Sequence, residues 1–251
     1  MKRLAAIILS LFPILLVVFF ADHGVLRAPA SGGLKHVVFD LDGTLVESLG
    51  HNIPGDIVLE SGEAYHVFPH ARELVEKVWK SGAKVHFYSG GPNERNLDLL
   101  SKLKLSNGQS FTEIASSILG REDLIDLGEH VEGEYFTDRY RKDLTKIGDL
   151  ESLIIVEDNK FFPLDQAQRA RVLELPIHDG GPLKQWRGER RLTWAYEVMD
   201  DVLAGKPLEE INHVKINETI IESMRKLGES VRGDLSRHGC AGIFYSLQFS
   251  L

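Results

Sequence analysis

The sequence has almost no cysteine and no surplus of positive charge. Cys240 is the single cysteine in 251 residues, which excludes an intramolecular disulfide framework and a thiolate cluster for zinc. The thiol itself reads as a buried or idle one. Lysine and arginine number 29 against 37 aspartates and glutamates, a formal net charge of −8 at pH 7. No basic excess is therefore available to neutralise the phosphates of a nucleic acid or the surface of an anionic membrane. Internal repeats and low-complexity tracts are missing too, and the ten histidines show no ligand spacing and read as packing or surface residues. What is present, 43% hydrophobic and 26% charged residues, suits one large domain or one domain with a small insertion.

The first thirty residues stand apart. Met1, Lys2 and Arg3 make a positive start, Leu4 to Ala21 form an apolar run, and Ala28 to Ala30 have the small-residue pattern of a cleavage site. An export signal is expected, with an uncleaved anchor as the alternative, because the run is just long enough to span a bilayer. In either case the positive end stays inside, and the folded part is expected in an exported location (periplasmic or extracellular) or held at the membrane.

Beyond a linker, residues 34–251 are expected to fold around four short apolar strands at 35–40, 83–89, 152–158 and 171–177. Helical patterns separate them. His70 to Gly82 places Leu74, Val75, Val78 and Trp79 on one stripe, and a second helix follows Pro92. Strand and helix in alternation predict an α/β fold: a three-layer, Rossmann-like parallel sheet flanked by helices. An insertion is expected at about 105–139, and a C-terminal helical part at 190–230, with helices near Thr193 to Ala204 and Asn217 to Leu227. In parallel sheets of this kind ligands bind beyond the carboxyl ends of the strands. Three of the four predicted strands end there in polar clusters: Asp40 to Asp42, Ser89 to Gly91, and Glu157 to Asn159.

The first cluster is the most telling. In FDLDGTLV two carboxylates lie one residue apart at a strand end, and burying either without a partner costs about 3–5 kcal/mol. A divalent cation removes the difficulty. Leu41 can then point back into the core, Gly43 permits a tight turn, and Thr44 can bond the loop backbone. Asp40 becomes a candidate nucleophile toward phosphorus. Asp42 is placed to protonate a leaving oxygen and later to take a proton from water.

FDLDGTLV resembles the first motif of the haloacid dehalogenase-like hydrolases, and the later strand ends follow that superfamily's order. The resemblance implies a phosphatase with an aspartyl-phosphate intermediate. In it Ser89, with Gly90, would bind a phosphoryl oxygen, and Lys142 would be the lysine of the third motif. Magnesium (Mg2+) would be held by the side chains of Asp40 and Asp158 and by the backbone carbonyl of Asp42, with Thr44 and Asn159 as supporting residues. The stretch YRKDLTKIGDLESLIIVEDN, Tyr140 to Asn159, is similar to the narrower group of NLI-interacting-factor-like phosphatases, which includes small phosphatases of the RNA polymerase II C-terminal domain. LGRED, Leu119 to Asp123, resembles an arginine-containing segment of that group. The likeness covers about Lys35 to Ile177. It departs at Gly43, where the group usually has glutamate, at Ser89, where it has threonine, and in the export signal.

The narrower group implies a phosphorylated protein substrate, with serine, threonine or tyrosine as the phosphorylated residue. An exported small-molecule or nucleotide acid phosphatase is the rival reading, and a catalytically silent phosphate-binding adaptor a further one. Glu157 reads either as an acid behind the site or as a solvated residue. RGERR, Arg187 to Arg191, reads as a solvated face, with a grip on a phosphorylated or acidic partner as the alternative, and the glycosylation pattern at Asn217 reads as a helix start.

Overall fold

The computed structural model describes residues 33–128, 136–175 and 184–212, with side chains in the last stretch from Arg191 onward. The export segment, the helix expected at 217–227, Asn217 and Cys240 lie outside the described residues. In chain order the strands are β1 (His36–Phe39), β2 (Val46–His51), β3 (Ile57–Val58), β4 (Glu63–Val67), β5 (Lys84–Tyr88), β6 (Ala115–Leu119), β7 (Ile125–Asp126), β8 (Tyr140–Arg141), β9 (Leu153–Glu157) and β10 (Val172–Glu174). The helices are α1 (Ala71–Lys80), α2 (Asn93–Lys102), α3 (Phe111–Ile114), α4 (Phe136–Arg139), α5 (Gln166–Arg169) and α6 (Lys184–Leu203).

Alternation along the apolar strands builds the sheet. In β1, Val37 and Phe39 join one core with Val85, Phe87, Ile154 and Val156, while Val38 joins a second core with Tyr88, Leu153 and Ile155. A sheet buried on both faces in this way has to be flanked by helices on each, and the strands run parallel in the order β10-β9-β1-β5-β6. The α/β Rossmann-like architecture read from the sequence is the one observed.

Two parts depart from that reading. Residues 115–119, placed in the expected insertion at about 105–139, form the fifth strand of the sheet, β6, beside β5. With Ser116 and Ser117 on an edge strand and its other residues only partly covered, no apolar run marks it. Residues 46–67 form a three-stranded antiparallel sheet, β2-β4-β3, that follows directly on the aspartate loop.

The helices match more closely. In α1, Leu74, Val75 and Val78 are fully buried; the helix follows Pro69 and gives way to Gly82 at φ 90°. Helix α6 packs on α1 through Trp194, Val198, Met199 and Val202, and Lys77 Nζ bonds both the Tyr196 carbonyl and Asp200, each at 2.9 Å. It starts before the expected Thr193, and its Arg191 is 1% exposed, so at that position the expected solvated face is corrected: the arginine is enclosed between α6 and the strand mouths. Among the described residues no helix is long and apolar enough to cross a membrane.

Candidate active site

The loop after β1 is shaped by its backbone. The amides of Thr44, Leu45 and Val46 all donate to the Leu41 carbonyl at 2.9 to 3.2 Å, and Gly43 N–H donates to Val46 at 2.8 Å. Gly43 adopts φ 74°, a conformation glycine takes without the penalty of a Cβ. A Cβ there would also stand 2.6 Å from Asp158 Oδ2. Leu41 is fully buried, as expected. The role expected for Thr44 is corrected: its hydroxyl is buried with no hydrogen-bond partner among the described residues, the turn being closed by backbone amides alone.

Asp40 ends β1 with 3% of its surface exposed, and Lys142 approaches it from the segment after β8. Lys142 Nζ lies 2.6 Å from Asp40 Oδ1 and 2.6 Å from Glu157 Oε2, at the end of β9. It is completely buried, 4.5 Å from the centroid of the Phe162 ring. Burial raises Asp40 to about 6, with the charges of Asp158 and Asp42 adding to the rise and Lys142 opposing it. Burial, then the Asp40 charge, pushes Glu157 well above the usual carboxylate range. For Lys142 burial works downward, but the two carboxylates outweigh it and raise the ammonium above its ordinary value.

Asp40, Glu157 and Asp158 each offer a carboxylate oxygen, and these three atoms lie within 4.8 Å of one another. An all-oxygen donor set of crowded, partly buried carboxylates suits a hard divalent cation such as Mg2+. Glu157, left open by the sequence, belongs to this group and is 1% exposed. The Asp42 side chain does not belong to it.

Asp42 is instead gripped by Arg95, in the first turn of α2. Arg95 Nη1 donates to Oδ1 at 2.9 Å and Nη2 to Oδ2 at 2.5 Å. Ser89, fully buried at the end of β5, donates its hydroxyl to Asp42 Oδ2 at 3.0 Å and accepts from Gly91 N–H at 3.1 Å. Burial alone would lower the Arg95 guanidinium; the bonds and charge of Asp42 outweigh it and hold it above its ordinary value. Asn159 donates its N–H to Glu157 at 3.1 Å and accepts from Phe161 N–H at 3.0 Å, closing the turn after β9.

On the far side of the metal-type cluster, Arg191 Nη2 stands 3.6 Å from Asp158 Oδ2. Its guanidinium nitrogens have no hydrogen-bond partner among the described residues, and burial lowers it from its ordinary value against the pull of Asp158. Sequence reasoning missed Arg95 and favoured a solvated face for the run that holds Arg191, since an arginine on an amphipathic helix reads as surface. Only the helix register relative to the strand mouths distinguishes them.

A cleft of about 410 Å³ opens over these groups, lined by Asp40, Asp42, Gly90, Gly91, Arg95, Arg121, Phe136, Thr137, Glu157, Asp158, Asn159 and Phe162. Phe136 packs directly on Gly90, where a Cβ would meet its ring at 2.9 Å. Arg121, from the LGRED segment, donates Nε–H to the Gly90 carbonyl at 3.0 Å. The cleft thus gathers Asp40, Asp42, Gly90, Asp158 and Asn159 of the sequence-derived set, with Ser89 and Lys142 bonded to its walls. Thr44 alone stands apart from it.

No family model and no curated protein matches the chain. Among solved structures, it is similar to the fission yeast RNA polymerase II CTD phosphatase Fcp1 bound to beryllium fluoride, with 13% identity and a TM-score of 0.42 over 84% of this chain and 68% of that one. A second structure of Fcp1, described as an essential RNA polymerase II CTD phosphatase, gives 15% and 0.40 over 80% and 66%. A predicted phosphoglycolate phosphatase from Haemophilus somnus gives 16% and 0.35 over 52% and 80%. All three are phosphatases by name.

Proposed function

We propose that the chain is a magnesium-dependent phosphomonoester hydrolase that works through an aspartyl-phosphate. The observation that carries this reading is the carboxylate cluster around Lys142: Asp40, Glu157 and Asp158 crowded at one mouth, with an ammonium 2.6 Å from two of them. Bound there by Asp40, Glu157 and Asp158, a magnesium ion would supply charge neutralisation for the phosphoryl group.

The chain's own residues account for the rest. Lys142 holds Asp40 Oδ1, which leaves Oδ2 to attack phosphorus as the bond to the leaving oxygen breaks. Asp42 gives its proton to that oxygen, then takes one from the water that cleaves the aspartyl-phosphate, so Asp40 is regenerated and inorganic phosphate released. Ser89 and the Gly90 backbone would bind the phosphoryl oxygens, and Lys142 would offset their charge.

For the substrate, the sequence likeness to the NLI-interacting-factor-like group supports a phosphorylated protein side chain. For location, the apolar N-terminal segment supports an exported or membrane-anchored protein. The test is phosphate release from phosphopeptides and from small phosphomonoesters, with magnesium or with chelator. Release that requires magnesium and vanishes in Asp40→Asn, with the variant still folded by circular dichroism, is the expected result. Turnover in Asp40→Asn near the wild-type rate would refute it.

A further inference from the structure

The acid Asp42 and the hydroxyl Ser89 are both engaged before any substrate arrives. Each oxygen of Asp42 accepts from Arg95, at 2.9 and 2.5 Å, and Oδ2 also accepts from Ser89 at 3.0 Å. Arg95 Nη2 lies 3.5 Å from Ser89 Oγ as well, so the guanidinium spans the two groups that the proposed reaction needs free. The contact is built in rather than casual. The Arg95 side chain is 16% exposed and lines the cleft. It lies across Gly91, where any Cβ would overlap the guanidinium, and its carbon Cζ stands 5.8 Å from the centroid of the Tyr65 ring in β4.

Resting on the reading above, we infer that Arg95 is a phosphate-operated latch, a positioning residue that an incoming phosphoryl group draws away from Asp42. A guanidinium pairs with a carboxylate or a phosphate through the same two-pronged fork. A phosphomonoester dianion carries more charge than the carboxylate and presents more acceptor oxygens, so it wins the exchange. Once Arg95 turns to the phosphoryl oxygens, Asp42 is no longer held as the anion of an ion pair and can take up from solvent the proton that it then gives to the leaving oxygen, and Ser89 is released toward the phosphoryl group. No bond to carbon or phosphorus changes in this step; one ion pair replaces another. A singly charged diester has no such advantage over Asp42 and leaves the latch closed.

The test is calorimetric titration of the full chain with inorganic phosphate at one fixed magnesium concentration, for the wild type, Asp42→Asn, Arg95→Gln and the double variant. If phosphate must take Arg95 from Asp42, Asp42→Asn tightens phosphate binding about tenfold where Arg95 is present and less than about twofold where it is replaced, the scale of a bidentate arginine contact. Arg95→Lys, which keeps the charge but loses the fork, retains only part of the coupling. Equal gains in both backgrounds would mean that Asp42 merely repels the anion, and would overturn the latch. So would a wild type that binds no phosphate. Because the titration needs no turnover, a protein that shows the coupling yet hydrolyses no phosphomonoester keeps the latch and loses the hydrolase reading. One that hydrolyses with additive effects loses the latch alone.

Discussion

Lys142 sits with no exposed surface between two carboxylates, and the arrangement is stable only as a set. Removing the ammonium in Lys142→Met would leave Asp40 and Glu157 facing each other in the interior, at a cost of about 3–5 kcal/mol. Urea denaturation should show that loss, and phosphate release should fall to background. Gly43 makes a second prediction at this scale. Gly43→Ala meets both a φ of 74° and the Asp158 carboxylate, so a loss of about 1–2 kcal/mol is expected from the backbone alone, together with weaker magnesium binding in a direct titration. Asp40, Asp42, Ser89 and Asp158 were legible in the sequence because strand ends and a motif mark them. Glu157, Arg95 and Arg191 were not. Their chemistry depends on which way a neighbour three-dimensionally close but distant in sequence happens to face, as Arg95 reaches Asp42 from 53 positions away.

At the scale of elements, β1, β5 and β9 could be read because burial on both faces makes each an apolar run, with polar residues only at His36, Lys84, His86 and Glu157. Those two histidines meet across the strands, His36 Nδ1 3.0 Å from His86 Nε2, with Ser117 Oγ 2.7 Å from His86 Nδ1. The bond to Ser117 adds a side-chain tie between β5 and the serine-bearing edge strand that pairs with it through its backbone. The contact between the histidines needs one ring with a lone pair to accept the proton that the other donates, so it is lost when both rings are charged. Burial, with the charges of His36 and Lys84 behind it, depresses His86 from 6.5 to about 4, and burial followed by Lys84 and Lys35 lowers His36. Because the folded-state values lie below the unfolded ones, the pair's stability is intact above about pH 6.5 and drains away as the pH falls toward 4. The slope approaches about 1.4 kcal/mol per pH unit for each proton taken up only on unfolding. Urea midpoints for wild type and His86→Gln between those limits measure it: the two should converge on acidification, and a constant gap would refute the assignment.

Across the whole molecule, the mouth is assembled from β1, β5, α2, the segment after β8, β9 and α6, and its charges nearly cancel. Four carboxylates, Asp40, Asp42, Glu157 and Asp158, meet three cations in ion pairs, Lys142, Arg95 and Arg191, while Arg121 lines the rim and bonds the Gly90 carbonyl. The sheet order follows from the sequence's alternating pattern, but this balance does not, since Arg191 comes from a helix beyond Lys35 to Ile177, the stretch whose motifs carry the sequence resemblance. It has a thermodynamic consequence. Within the ion-paired set one carboxylate is left over, so the fold can form without a divalent cation and should still gain from binding one. A cation that binds only the folded state at a hundredfold excess over its Kd adds about 2.7 kcal/mol, which for a chain of this size is a rise in Tm of about 5–10 °C. Thermal melts in magnesium against chelator should show a cooperative transition in both and the rise in the first. Asp158→Asn should abolish most of that rise, because it removes a donor from the cluster while leaving the Lys142 pair intact. If the chelated protein showed no cooperative transition at all, the three cations would not be sufficient to hold the mouth together. If the rise persisted undiminished in Asp158→Asn, the cation would be binding somewhere other than between β1 and β9.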